Sequence, residues 1–330
     1  MVGSVGQVVL RIIGLGRDHA VLDVARRRRH EAVAALVAGA FLADFVLGGI
    51  APIFPLFAKR LGASSADLAG LVTAAGLSGL GLVLPAARLA DRLGKRYVFV
   101  AGIVLYGGAA FVLALAHGVG VLALPQAILG LAGVCTFTIG FACLSDTVTG
   151  PALATAAGLY TAAMGAGYGT GPLLTGWSVG AVGYRTTFVW CGVLGLASAG
   201  CVLLGLMRAR AGAAQHRVAS PSLSSPFPPP SRRRLWPGGT VLLASYANLP
   251  TSLTINIGIL TFFPVYAASL GWSTSLIGVV LFGRAMASAL VRLAMRRVHR
   301  LPVPPLVMIR GTLFVETAVI GLLAVSRHVV

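Results

Sequence analysis

The 330-residue sequence predicts an all-α protein made of membrane-spanning helices, and three observations carry that prediction. Hydrophobic residues make up 57% of the chain and charged residues 10%, at a mean hydropathy of +0.90. A soluble chain of this length needs a far more charged surface, so the apolar excess must face lipid. The apolar residues gather into nine stretches of the length, about 20 residues, that crosses a bilayer as a helix. The basic residues fall in short clusters between those stretches, which is the distribution of loops on one membrane face. The net charge of +18 therefore gives no ground for a nucleic-acid partner.

The nine predicted spans are 32–57, 66–87, 97–116, 119–143, 152–178, 186–207, 239–268, 274–295 and 304–325. The third and fourth are parted only by His117-Gly118-Val119-Gly120; two glycines and the combined length make this a turn rather than one long helix. Residues 1–31 precede the first span. Arg11 interrupts their apolar stretch Val8–Leu15, and Arg26 to Arg29 follow it, so they do not read as a secretory signal. They read as a cytoplasmic extension, with a surface helix as one form of it and a mis-assigned start as the alternative. The four cysteines lie inside apolar runs with no CxxC spacing, and read as small packing residues.

Orientation follows from lysine and arginine. With the N-terminus inside, twenty fall on the cytoplasmic side and four outside (Lys59, Arg60, Arg185 and Arg327), while Arg284 and Arg310 lie within spans. This separation predicts a multi-pass protein with a cytoplasmic N-terminus. The dominance of arginine, alanine, glycine and valine points to a GC-rich bacterial genome, hence to the bacterial cytoplasmic (inner) membrane.

The one long loop, 208–237, contains Ser-Pro-Ser-Leu-Ser-Ser-Pro-Phe-Pro-Pro-Pro-Ser and three arginines, a composition that cannot pack and reads as a cytoplasmic linker. It divides the chain into a six-helix bundle at 32–207 and a three-helix bundle at 238–330. The two sides resemble each other. Phe54–Ser64 aligns with Phe263–Ser273 at an offset of 209, with Phe, Pro, Ala, Leu, Gly and Ser identical. Arg88-Leu89-Ala90 and Arg92 correspond to Arg292-Leu293-Ala294 and Arg296. Two such halves joined by a linker form the parallel-repeat plan of many transporters.

The loop after span two, Ala87-Arg88-Leu89-Ala90-Asp91-Arg92-Leu93-Gly94-Lys95-Arg96, resembles the loop signature G-x-L-a-D-R-x-G-r-R of the major facilitator superfamily, with Ala87 in place of the leading glycine. Gly94 permits a tight turn, and Arg88, Arg92, Lys95 and Arg96 anchor at the inner face. In that family the acid, here Asp91, latches the two halves together against a helix late in the second half, which here would fall beyond residue 330. Span five carries Gly167-Tyr168-Gly169-Thr170-Gly171-Pro172-Leu173-Leu174-Thr175-Gly176, similar to the family's antiporter signature G-x-x-x-G-P-x-x-G-G, with Thr175 replacing one glycine. Gly167, Gly171 and Gly176 would allow close helix approach, and Pro172 would kink the span. The arginine that such antiporters often carry in span four is replaced by Gln126, and Gly130 is retained. The resemblance covers residues 32–325 and implies a major-facilitator-like six-helix bundle followed by an incomplete three-helix one. It also implies secondary transport by alternating access, export rather than uptake, and no cofactor.

The candidate solute or proton residues are the polar groups inside spans, where a charge costs about 2.5–3.5 kcal/mol on insertion scales. Asp44 in span one is placed to exchange a proton or to meet a cationic solute; the competing reading is an acid satisfied by a neighbouring helix. Glu316 in span nine and Arg284 in span eight are further candidates: Arg284 could balance Asp44 or Glu316 across the central cavity, or form a structural ion pair. Asn248, Ser252 and Asn256 share one face of span seven and line either a cavity or a polar seam. Asp146 reads as loop.

With no ATP-binding signature, a gradient, of protons first, would drive the carrier. Its partners would be a small-molecule solute and the lipid bilayer. The alternative is a truncated, non-transporting remnant or helper subunit, whose missing walls an oligomer would complete. A membrane enzyme would need a convergent nucleophile, acid pair or metal set, and the six scattered histidines neighbour no nucleophile.

Overall fold

The computed structural model describes residues 3–214 and 260–298, together with Gly311 and Phe314. Among the described residues every regular element is a helix. In chain order they are α1 (Gly3–Arg60), α2 (Ser65–Leu93), α3 (Lys95–Leu115), a short 3-10 turn Val119–Leu122, α4 (Ala123–Gly133), a π-helical turn Val134–Ile139, α5 (Gly140–Thr147), α6 (Pro151–Ala214), α7 (Phe263–Ser269) and α8 (Thr274–Val298).

Five described helical stretches are long and apolar enough to cross a membrane: His30–Arg60, Ser65–Leu93, Lys95–Leu115, Val119–Thr147 and Ala152–Arg208. The last has 57 residues, about 85 Å of helix and nearly three hydrocarbon thicknesses. It is two spans, because Gly183 (φ 82°, ψ 172°) breaks it at the predicted boundary between spans five and six. The predicted extension 1–31 is helical from Gly3 and runs into span one without a break. The linker expected from 208 begins later, since α6 stays helical to Ala214. Residues 215–237 of that linker, most of span seven and nearly all of span nine lie outside the described residues.

The helix ends follow from their sequences. Ser64 caps α2: its Oγ accepts from the Asp67 N–H (3.1 Å) while the Asp67 carboxylate accepts from the Ser64 N–H (2.8 Å). Gly94, at φ 100°, turns the chain straight from α2 into α3, as expected of a residue without a Cβ.

The internal repeat is present in three dimensions. After α1 the Leu61 N–H donates to Phe57 O, Gly62 to Lys59 O and Ala63 to Ala58 O; after α7 Leu270 donates to Tyr266 O, Gly271 to Ala268 O and Trp272 to Ala267 O. Every pair is displaced by 209 residues. Gly62 and Gly271 both take positive φ (91° and 82°), and Ser273 Oγ accepts from the Leu276 N–H (3.2 Å) as Ser64 does from Asp67.

The core lies where α6 packs on α1 and α3, with Leu36, Ile50, Phe99, Ile103, Leu144, Tyr160 and Phe188 fully buried. α4 packs on both α2 and α3, and α8 packs on α6. At one end of the bundle Arg60 lies over the Tyr184 ring (4.7 Å) and Arg185 donates to Ala116 O (3.1 Å). At the opposite end Lys95 pairs with Asp146 (2.7 Å). Among the described residues the chain thus crosses from end to end with each of its first six spans, the alternation that the charge pattern predicts there.

Candidate functional site

The first limb of α6, up to Gly183, packs on α1 by one face and on α8 by the other, beside isolated buried polar groups such as Asp44, Thr136 and Thr175. On one face, Gly167 and Gly171 press against the backbone of α1: a Cβ at Gly167 would meet the carbonyl of Phe41, and one at Gly171 the backbone of Phe45 and Gly49. Gly48 returns the contact against the backbone of Tyr168. Thr175 Oγ1 donates to Gly49 O (3.0 Å) across the same crossing, so the residue that departs from the glycine signature adds a hydrogen bond. On the other face, Gly169 meets Ala285 and Met286 of α8, Gly176 meets the backbone of Thr274, and Gly278 meets the carbonyl of Pro172. Thr274 Oγ1 donates to Gly176 O (2.9 Å). Pro172 does not interrupt the helix; the non-helical torsions inside α6 are at Gly183.

Asp44 lies one turn before Gly48 on α1 and is 8% exposed. The helices beside α1 carry three tyrosines in their apolar stretches: Tyr106 of α3 and Tyr160 of α6, both buried, and Tyr168 of α6, partly buried. Arg284 of α8 has a buried Nε that makes no hydrogen bond. The Tyr168 backbone meets Gly48 of α1, and the next residue, Gly169, meets Ala285, the neighbour of Arg284 on α8.

Gln126 is buried on α4 (6% exposed). Gly130, one turn on, packs against the backbone of Ala75 and Gly79 on α2, so the retained glycine serves a helix crossing. Asn248, Asn256 and Glu316 lie outside the described residues.

Arg88, Asp91, Arg92 and Arg96 are exposed around the Gly94 turn, and Lys95 is half-buried. Of these, Asp91, Lys95 and Arg96 border a cleft of about 400 Å³ between the turn and Cys143, Asp146 and Thr147 of α5. Asp146 corrects the sequence reading. It stands in the last turn of α5, not in a loop, where its carboxylate meets Lys95. The loop signature is thereby tied to the end of span four.

Sequence reasoning missed Tyr106, Thr136, Tyr160 and Tyr168. The available signal was three tyrosines deep in apolar spans, each bringing a hydroxyl that needs a partner.

The family model of the Major Facilitator Superfamily matches residues 36–329. The chain belongs to the Major Facilitator Superfamily. Membership in this superfamily makes the protein a multi-pass membrane protein of transporter lineage and not an enzyme. Among individual proteins, it is 29% identical over 156 residues to the quinolone resistance protein NorA of Staphylococcus aureus strain MRSA252, covering 47% of this chain and 40% of that one. It is 28% identical over 162 residues to an uncharacterised MFS-type transporter of Methanocaldococcus jannaschii, covering 46% and 40%. The matches thus span well under half the length of these superfamily relatives.

Proposed function

We propose that this chain exports a small solute across the bacterial cytoplasmic membrane by alternating access, with its N-terminus inside and a proton exchanged at Asp44. The observation that carries the reading is Asp44, a nearly buried acid on α1 one turn before the backbone contact of Gly48 with Tyr168. An acid at membrane depth that faces the bundle interior is a functional site by default. The division into a six-helix bundle (32–207) and a second bundle (238–330) fits this scheme. The α6–α8 crossing is held backbone to backbone at Gly176–Gly278 and spaced by side chains at Gly169–Ala285, a geometry about which two bodies can rock. The cluster around Gly94, with Asp91 and the Lys95–Asp146 pair, would report that motion at the basic end.

NorA is described as a quinolone resistance protein, so a quinolone is the first solute to test. The full chain in proteoliposomes should release protons in exchange for an added quinolone, and Asp44→Asn should abolish that exchange while leaving solute binding measurable. Equal proton flux in both proteins would remove Asp44 as the coupling site. Solute flux with no proton movement would remove proton coupling altogether.

A further inference from the structure

Spans one and five run side by side, and from Gly167 onward the first limb of α6 lies backbone to backbone on α1, beginning at the Phe41 carbonyl. Toward the Lys95 end of the bundle, before that contact, the two helices part. They leave a groove of about 740 Å³, bordered by His30, Ala34, Ala38 and Leu42 of α1 and by Leu159 and Ala163 of α6. Every side chain lining it except His30 is apolar. Ala34 and Ala38 are exposed, Leu159 is 55% exposed, and a methyl added at Gly158 would meet nothing. The groove exists because small residues stand where larger ones would fill the gap between two diverging helices.

Two observations say what fits it. The first is depth. The apolar stretch of α1 begins at His30, and the groove ends at Leu42. That distance is about 18 Å along a helix axis, a little over half of a hydrocarbon core about 30 Å thick. The groove therefore runs from one membrane surface to near the midplane, the depth of a single leaflet. A crossing helix needs the full thickness, whereas a lipid acyl chain needs this much. The second observation is charge. His30 marks the end of the groove at the membrane surface, and Arg26, Arg27, Arg28 and Arg29 occupy the turn of α1 just before it, with Glu31 the acid beside them. A guanidinium matches phosphate oxygens with two parallel hydrogen bonds, and arginine clusters flanking a span attract anionic lipid. An apolar groove that ends at four arginines suits a molecule with a hydrocarbon tail and an anionic head.

We propose that the groove between α1 and α6 seats one acyl chain of an anionic phospholipid, with its phosphate at the level of the turn Arg26–His30. The tail fills the space on the open side of the Gly167 contact and braces the crossing that the glycines close. With the N-terminus inside, the lipid belongs to the cytoplasmic leaflet. The seat itself rests neither on Asp44 nor on any solute being moved.

The test is native mass spectrometry of the full chain, released from detergent micelles that contain equal amounts of phosphatidylglycerol and phosphatidylcholine with the same acyl chains. The protein should retain one phosphatidylglycerol, preferred by about tenfold or more, since each basic residue near an anionic head adds a several-fold gain. Ala38→Trp, which fills the groove, should lose that lipid, whereas Leu80→Trp, on the exposed face of α2, should keep it. Glutamine in place of Arg26, Arg27, Arg28 and Arg29 together should bring the preference close to unity. If Ala38→Trp does not fold, the lipid competition and the arginine variant still decide. The proposal is overturned if the unaltered chain retains no phosphatidylglycerol or holds both lipids equally. It is equally overturned if Ala38→Trp keeps the lipid, or if the arginine variant keeps the full preference. An Ala38→Trp chain that keeps its lipid but loses a dimer would assign the groove to a second copy. One that keeps its lipid but unfolds at lower temperature would assign it to another segment of this chain. A seated lipid in a chain that moves no solute would sink the transport reading and leave this inference standing.

Discussion

Gly167 and Gly171 on one face of α6 press onto the backbone of α1, whereas on the other face Gly169 meets the side chains Ala285 and Met286 of α8. Both contacts come from one ten-residue stretch, and they differ in what stands opposite. Backbone cannot move aside without breaking a helix, while a methionine end can swing. The α1–α6 crossing therefore behaves as one body within the first half. The α6–α8 crossing, close at Gly176 through backbone and at Gly169 through the side chains of Ala285 and Met286, is the contact suited to change. A motif that reads as uniform close packing thus separates into a fixed seam and an adjustable one.

The strongest test of that difference is to add a single methyl on each face. Gly171→Ala places a carbon against the Gly49 and Phe45 backbone and should cost about 3 kcal/mol or prevent folding. Thermal unfolding in detergent, followed by tryptophan fluorescence, measures it. Gly169→Ala should cost somewhat less, about 2 kcal/mol, because the new methyl meets the Ala285 Cβ, which only a shift of α8 can relieve, and the Met286 end, which can swing. Its larger effect should appear in the exchange of solute across proteoliposomes. If the two variants lose equal stability, both faces of α6 are fixed seams and the rocking contact lies elsewhere.

Much of this was legible from the chain itself. The spans up to Arg208 emerge from apolar runs because lipid imposes a length on each helix, and Gly183 marks the break because positive φ favours glycine. The Phe54–Ser64 and Phe263–Ser273 repeat was readable because helix-end geometry demands particular residues, glycine above all, at fixed places. What escaped was set by contacts between distant segments. Asp146 looked like loop because nothing local shows that Lys95, fifty-one residues earlier, stands opposite. The π turn in span four has no periodic signature, since it arises from hydroxyls on α3 and α6 that sequence distance hides. Which glycine faces which helix was likewise invisible in a stretch where small residues recur at nearly every position.

The finest distinction between the seams lies in two threonines. Thr175 Oγ1 donates to Gly49 O across the fixed contact, and Thr274 Oγ1 donates to Gly176 O across the adjustable one, at 3.0 and 2.9 Å. The distances are close, but the Thr175 proton has a second acceptor at 3.0 Å, Gly171 O on its own helix, so its interhelical bond is shared. Replacing either by valine keeps the shape and removes one interhelical hydrogen bond, worth about 0.6 kcal/mol on average between membrane helices. In Thr175→Val the loss should register in unfolding, because the surrounding glycine backbone holds the seam closed and the bond only adds to it. In Thr274→Val unfolding should change less. Amide exchange of the α8 segment Thr274–Leu281 should instead quicken, since the threonine ties down the end of a helix that side chains space from α6 farther along. Were both variants to alter only unfolding, the hydrogen bonds would be equivalent, and the distinction between the two faces would rest on glycine packing alone.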